Sequence, residues 1–237
     1  MSLQVNKIQI KRDIKLDHLA IIMDGNRRWA KKNNLKVNFG HKAGIDNSIN
    51  ILKALNNDNF LKIKYVTLYV FAENNWRRSP KEIRSLFNFI EHTYNKFEEL
   101  SLKQNFKIKH FGSIKKIPKS IVDIIKDVQE KTKKKRGIQI NLAFNYSGRA
   151  EIINALNKII IEKKNINKFD LYLYTHGIPD PDLIIRTGGE SRLSDFLLWQ
   201  SAYSELYFTK TLWPDFKFTN LKRSLNDYLK RKRNYGR

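Results

Sequence analysis

Five consecutive residues, Asp24-Gly25-Asn26-Arg27-Arg28, combine a carboxylate, a flexible glycine, an amide and two guanidinium groups. Arginine forks pair bidentately with phosphate oxygens, so the two cations suit a phosphorylated ligand. The bare Asp24 carboxylate would repel such a ligand unless a divalent cation bridges the two, as Mg²⁺ does in many phosphate sites. The pattern reads as a metal-assisted diphosphate site; its plain rival is a strand terminus with a surface aspartate and two solvated arginines. A second cluster runs Arg186-Thr187-Gly188-Gly189, then Glu190, Arg192 and Ser194. Two arginines, two glycines and a hydroxyl gathered this closely suit a second diphosphate. His41, in Phe39-Gly-His-Lys-Ala-Gly44, is a further candidate phosphate contact, with a structural histidine as the ordinary alternative.

Particular elements must hold these groups in place. Leu19 to Met23 is an apolar run too short to span a membrane and suited to a parallel strand buried on both faces. Asp24 stands at its end, Gly25 turns the chain, Asn26 is placed to cap a helix, and Arg27 to Lys32 reads as that helix's first turns. In an open α/β sheet this order puts a helix N-terminus, which favours anions, at the carboxyl edge where ligands bind. Phe39 to Gly44 reads as a loop, and Ile45, Ile49, Leu52 and Leu55 have helical spacing. Tyr65 to Phe71 is a second strand, ending in AENNWRRSP. Ser79-Pro80-Lys81-Glu82 matches a capping box with proline at the first helical position. The helix it opens has a broad aromatic face that either packs on the sheet or lines a site for a long apolar ligand.

Strands at Phe106 to Phe111, Ile138 to Phe144, Leu183 to Ile185 and Tyr203 to Phe208 follow. Between and after them come helices opened by Pro118, spanning Ala150 to Lys163, starting after Asp170, and capped by Thr219. Such alternation implies right-handed crossovers, a parallel sheet and loops gathered along one edge.

The 237 residues are most simply one domain. The absence of cysteine excludes disulfides and thiolate metal sites. MSLQVNKIQIKRDIKLD lacks the apolar core of a signal peptide, so a cytoplasmic protein is expected. The net charge of +23 calls for anionic partners to be considered, but many of the lysines accompany a general Asn and Ile bias. No nucleic-acid-binding module is present, and nucleic acid is not an expected partner.

Taken together, HLAIIMDGNRRWA, FGHKAG, FAENNWRRS, LAFNYSGRAEI, IRTGGESRLSDFLLWQSAYSELYF and LWPDF resemble, in order and spacing, the cis-prenyltransferase family, whose bacterial member is undecaprenyl diphosphate synthase. The resemblance runs from about His18 to Gly236. It implies an α/β domain with a six-stranded, largely parallel sheet flanked by helices, an apolar tunnel for a growing chain, and a homodimer. It implies an enzyme that uses Mg²⁺ to add isopentenyl diphosphate to an allylic diphosphate, with peripheral membrane contact through its lipid product. Residues 18–229 would form the catalytic domain, 1–17 an extension, and 230–237 a basic tail that serves the partner's site. By the same resemblance, Asp24 handles metal and allylic diphosphate with Gly25, Asn26, Arg27, Arg28, Trp29 and His41, and Glu205 is the second metal carboxylate. Asn75 is catalytic and orients a proton path, within a substrate loop of Ala72, Glu73, Asn74, Trp76 and Arg78. Arg186, Arg192, Leu193 and Ser194 hold isopentenyl diphosphate, and Arg233 reaches the neighbouring subunit. The chain departs from the family pattern at Ala72 and Asn74, which replace a hydroxyl and a carboxylate, and at Val37, where arginine is common and Lys36 stands beside it.

Overall fold

Residues 15–57 and 62–232 are described by a computed structural model. The expected extension and tail, Arg233 included, lie mostly outside them. The strands are β1 (His18–Ile22), β2 (Tyr65–Ala72), β3 (Lys107–Phe111), β4 (Gln139–Tyr146), β5 (Leu183–Arg186) and β6 (Glu205–Phe208). They form one parallel sheet in the order β3-β4-β2-β1-β5-β6. Every residue of β1 and β5 is buried, as expected for strands covered on both faces. The last strand is shorter than Tyr203 to Phe208, because its pairing with β5 begins only at Glu205 opposite Leu183. From β1 the chain crosses to β2 on one side, and from β5 to β6 on the other. Between β1 and β5 lies the switch point where α/β sheets form a crevice at the strand ends.

The helices are α1 (Asn26–Lys32), α2 (Val37–Asn57), α3 (Pro80–Lys103), α4 (Lys119–Thr132), α5 (Gly148–Ile161) and α6 (Phe218–Lys230). Among the described residues none is long and apolar enough to cross a membrane. Three expectations are corrected. Asn26 does not cap α1; Gly25 occupies that position at φ 115, where Leu212 lies too close for any Cβ. Phe39 to Gly44 is not a loop but part of α2. A Cβ on Gly40 would fall 2.1 Å from Asn26 O and one on Gly44 2.4 Å from Asn26 Oδ1, so these glycines let α2 cross α1 at close range. Thr219 does not cap α6, which starts at Phe218, with Asn220 Oδ1 accepting from the Lys217 N–H at 2.9 Å. Ser79 caps α3 as the sequence predicts, its Oγ accepting from Glu82 N–H at 3.3 Å.

Trp213, 1 % exposed, joins these pieces. Its indole donates to Gly44 O at 2.7 Å, its carbonyl accepts from Asn47 Nδ2 at 2.7 Å, and its N–H donates to Asp24 O at 3.0 Å. The turn after β6 thus fixes both α2 and the residue that follows β1.

At the opposite, amino edge of the sheet runs a buried polar row. Gln139 donates to Asn141 at 2.8 Å, Asn141 to the Thr67 hydroxyl at 2.9 Å, Thr67 to His18 Nε2 at 2.7 Å, and His18 Nδ1–H to Pro179 O at 2.7 Å. The carbonyl can only accept, so Nδ1 carries a proton, and in the neutral ring Nε2 is then the acceptor. Burial pushes the His18 pKa down to about 4, against the raising effect of the Pro179 hydrogen bond. The unfolded chain therefore binds this proton more readily than the fold does. Stability is fully present above pH 6.5 and is lost as pH falls toward 4, by about 3 kcal/mol at about 1.36 kcal/mol per pH unit. Urea midpoints measured across this window should fall steeply for the wild type and less so for His18→Asn.

Candidate functional site

A cleft of about 1260 Å³ opens at the carboxyl edge, above the switch point. Asp24, Gly25, Asn26, Arg27, Arg28, His41, Ala72, Asn74, Asn75, Arg78, Arg186 and Ser194 all line it, so the structure brings most of the sequence-predicted residues together. At its centre is Arg186, 5 % exposed at the end of β5. Nη2 donates to Asp24 Oδ2 at 3.0 Å, while Nη1 donates to Ser194 Oγ at 2.7 Å and also to Arg192 O. Its Nε is buried without a partner among the described residues. Arg28 lies 3.0 Å from Asp24 Oδ1 and donates to Gly188 O. Burial pushes the Asp24 carboxyl up, but the Arg186 hydrogen bond and the Arg28 charge outweigh it and hold the pKa below the ordinary value. Asp24 is an anion at neutral pH.

The segment carrying Ser194 is held in unusual backbone. Ser194, Asp195 and Leu197 have φ of 51°, 68° and 46°, conformations that β-carbon-bearing residues adopt at a cost. The fold secures them: Gly148 N–H donates to Asp195 O at 2.8 Å, Arg149 N–H to Asp195 Oδ1 at 2.9 Å, and the Tyr69 hydroxyl to Ser194 O at 3.2 Å.

Across the cleft, Glu82 at the start of α3 faces two guanidinium groups and an imidazole. Its Oε1 lies 3.3 Å from His41 Nε2, 3.4 Å from Arg78 Nη1 and 3.9 Å from Arg27 Nε. Burial and the Arg78 charge lower the His41 pKa, opposed by Glu82. Asn75 sits in a 3₁₀ turn, Glu73–Arg77, where its Oδ1 accepts from Ala72 N–H at 3.1 Å, leaving its NH₂ as the group it can offer the cleft.

Several expected contacts lie elsewhere. Trp29 turns away and donates to Asp215 Oδ1 at 2.8 Å. Glu73 is exposed, and Trp76 is wedged between Phe71 and Phe87. Leu193 packs into the apolar cluster around Phe196. The Arg192 side chain is exposed and pairs with Glu190 at 2.6 Å. Glu205 is not gathered with Asp24: it begins β6 opposite Leu183, whereas Asp24 follows the Ile22 and Arg186 level, and it pairs with Arg231 at 2.7 Å. Sequence reading missed Glu82, Arg149 and Asp195, which come together only in three dimensions. Lys36 and Val37, where the family pattern has arginine, both line the cleft.

Among the described residues no three His, Cys, Asp or Glu side chains form a metal cluster. Asp24 by itself still fits Mg²⁺, which is commonly held by one or two carboxylates with phosphate oxygens and waters completing the shell. Two of its acceptor directions are used by arginines, and others remain.

Beneath the cleft lies an apolar cavity of about 160 Å³ between α2, α3, α4 and the sheet. Met23, Ile45, Ser48, Val70 and Ile90 line both spaces, so the charged cleft and the apolar cavity adjoin along a shared wall.

The undecaprenyl diphosphate synthase family model matches residues 22–236. An isoprenyl transferase of Clostridium tetani is 43 % identical, covering 98 % of this chain and 95 % of that one. One of Rickettsia prowazekii is 44 % identical, covering 94 % and 98 %. Among solved structures, lavandulyl diphosphate synthase of Lavandula x intermedia, in complex with dimethylallyl diphosphate, superposes with TM-score 0.88 at 31 % identity over 94 % of this chain and 99 % of that one. A probable undecaprenyl diphosphate synthase of Campylobacter jejuni gives 0.78 at 30 % identity over 94 % and 100 %.

The Glu82 geometry yields a prediction of definite sign. A carboxylate set beside Arg78 and Arg27 competes with an incoming anion for their charge. Glu82→Gln should therefore tighten inorganic diphosphate by about three- to tenfold in calorimetric titration, the scale of one partly screened charge pair. Weaker binding would mean that Glu82 serves chiefly to hold the cations in place.

Proposed function

The chain belongs to the undecaprenyl diphosphate synthase family of prenyltransferases, and on that premise we propose that it adds isopentenyl diphosphate units, with cis double bonds, to an allylic diphosphate. Farnesyl diphosphate is the proposed primer and undecaprenyl diphosphate, a lipid carrier for cell-wall synthesis, the proposed product. The observation that carries the reading is the position of an arginine-lined cleft directly against an apolar cavity with which it shares five lining residues. An amphiphile with a diphosphate head and a hydrocarbon tail suits both at once. The allylic diphosphate held by the lavandulyl relative supports the same substrate class.

In this reading the bond between the allylic carbon and its diphosphate oxygen breaks, and the diphosphate leaves with the electron pair. The terminal alkene carbon of isopentenyl diphosphate forms the new bond to the allylic carbon, and a proton is then lost from the adjacent carbon. Negative charge grows on the leaving oxygens, where Arg27, Arg28 and the α1 N-terminus provide preorganised positive potential. Mg²⁺ bound at Asp24 would neutralise part of that charge. Arg186 and Ser194, locked together, hold the condensing diphosphate so that its alkene lies near the departing carbon. Asn75 presents an amide, a poor base, and orients the proton's path rather than keeping the proton.

The reading includes a cytoplasmic homodimer with peripheral membrane contact through the product, and Arg233 acting in the partner's site. Dimers mixed from Asp24→Ala and Arg233→Ala protomers should then regain one complete site each and exceed the mean activity of the two parents. Activity at or below that mean, with subunit exchange shown, would place Arg233 elsewhere.

The direct test is incubation of the purified protein with farnesyl diphosphate, labelled isopentenyl diphosphate and Mg²⁺, with the products then sized. Labelled polyprenyl products are expected, lost on chelation and by at least about a hundredfold in Asp24→Asn, which keeps shape and removes charge. No condensation by the wild type would reject the function, and near-normal Mg²⁺-dependent turnover in Asp24→Asn would reject the carboxylate's role.

A further inference from the structure

β2 and β4 carry paired irregularities next to the cleft. Tyr69 stands opposite Ala143, Phe71 opposite Phe144 and Ala72 opposite Tyr146, so Val70 is an extra residue on one strand and Asn145 on the other. Such bulges re-aim a side chain. Asn145 adopts φ 51 and is 5 % exposed. Its Oδ1 accepts from the Trp76 indole N–H at 2.7 Å, and its Nδ2 donates to Ser113 O at 2.8 Å and Lys115 O at 2.9 Å. Its backbone carbonyl accepts from Ser113 N–H at 3.1 Å.

We propose that Asn145 is a positioning residue for the condensation: through Trp76 it sets the 3₁₀ turn that presents Asn75 to the cleft, anchoring that turn to β4 and to the segment after β3. The inference rests on the proposed function for the reaction it serves. Asparagine meets every demand of the position. It tolerates the left-handed conformation, and one amide offers an acceptor and two donors together. The indole can only donate and the two carbonyls can only accept, which fixes the orientation of the amide. Aspartate would turn an oxygen toward two carbonyl oxygens. Glycine would keep the backbone and lose all three side-chain bonds.

The turn needs such a tether. Its own bonds are short range, Asn75 Oδ1 to Ala72 N–H and Arg78 N–H to Asn75 O at 3.0 Å, and neither ties it to another strand. Trp76 is the adjoining residue, and its ring lies edge-on to Phe71 and Phe87, with centroids 5.4 and 5.6 Å away. Apolar packing holds the ring without setting its rotation; the Asn145 bond does. The diphosphate contacts proposed at Arg186, Ser194, Asp24 and Arg28 involve neither residue, and the Arg78 guanidinium beyond the turn is held separately by Glu82 at 3.4 Å, so loosening the turn should affect turnover rather than substrate binding.

The test uses Asn145→Gly, Trp76→Phe and the double variant of the full chain, assayed with farnesyl diphosphate, isopentenyl diphosphate and Mg²⁺ alongside melting curves. Each single variant should lose about tenfold or more in kcat with KM for both diphosphates within about twofold, and the double should lie within about threefold of the worse single, since both cut one link. A folded single variant with kcat near wild type, a loss confined to KM, or single losses that multiply in the double would each overturn the proposal. Should Asn145→Gly fail to fold, Trp76→Phe decides alone, because it removes the donor while keeping an aromatic ring between Phe71 and Phe87. Trp76 emission, obtained as the difference between paired spectra with and without Trp76→Phe, should shift in the Asn145→Gly background. No shift would overturn the contact. This readout stands even if the wild type condenses nothing, a result that would fall on the proposed function instead.

Discussion

A guanidinium almost completely removed from water needs acceptors, and the arrangement around the two terminal nitrogens of Arg186 follows from that requirement. Breaking such a buried pair by removing one partner generally costs several kcal/mol, because the remaining charge stays buried and uncompensated. Arg186 meets Asp24 from the end of β1, a hydroxyl from Ser194 and a carbonyl from Arg192. The segment after β5 must therefore curl back over its own strand, which demands the left-handed residues at 194, 195 and 197. Asp24 must be held as firmly, and Trp213 N–H and the Thr187 hydroxyl, 3.0 and 2.7 Å from its carbonyl, do so. The LWPDF segment, far along the sequence, thus serves the first strand. The positive charge of the cleft and the packing of its walls have one electrostatic origin.

Much of this was legible in the sequence, for physical reasons. Strands buried on both faces write themselves as apolar runs, and the Ser79 capping box fixed the start of α3 because its chemistry is local. Phe39 to Gly44 was misread because glycine weakens an isolated helix. What overrides propensity there is the approach of α1, and the signal was the four-residue spacing of Gly40 and Gly44, which puts both on one helix face. Asn26 failed as a cap because Leu212 leaves no room for a β-carbon at the preceding residue, a fact no local pattern contains.

The candidate site was legible in its cations and in Asp24, and not in its other counter-charges. Arg27, Arg28, Arg78 and Arg186 announce themselves by type and company. Glu82 looked like a capping residue and nothing more, yet it faces His41, Arg78 and Arg27 from another element. Glu205 shows the reverse case. Its place in the family pattern suggests a metal ligand, but strand register puts it at the opposite end of the sheet from Asp24 within one chain. Register and crossover geometry decide which charges meet, and both depend on partners distant in sequence.

The two edges of the sheet are fastened by different materials. The carboxyl edge is closed by groups that stay charged throughout the ordinary pH range, whereas the amino edge is closed by the neutral row from Gln139 to His18 and Pro179. Mild acid weakens the second and leaves the first intact; ionic strength acts on the first, more weakly where it is buried, and leaves the second untouched. Loss of structure therefore has a direction set by the solvent. In acid the molecule should fray from the edge remote from the cleft, so that ligand-binding geometry persists in a chain already partly opened at its back.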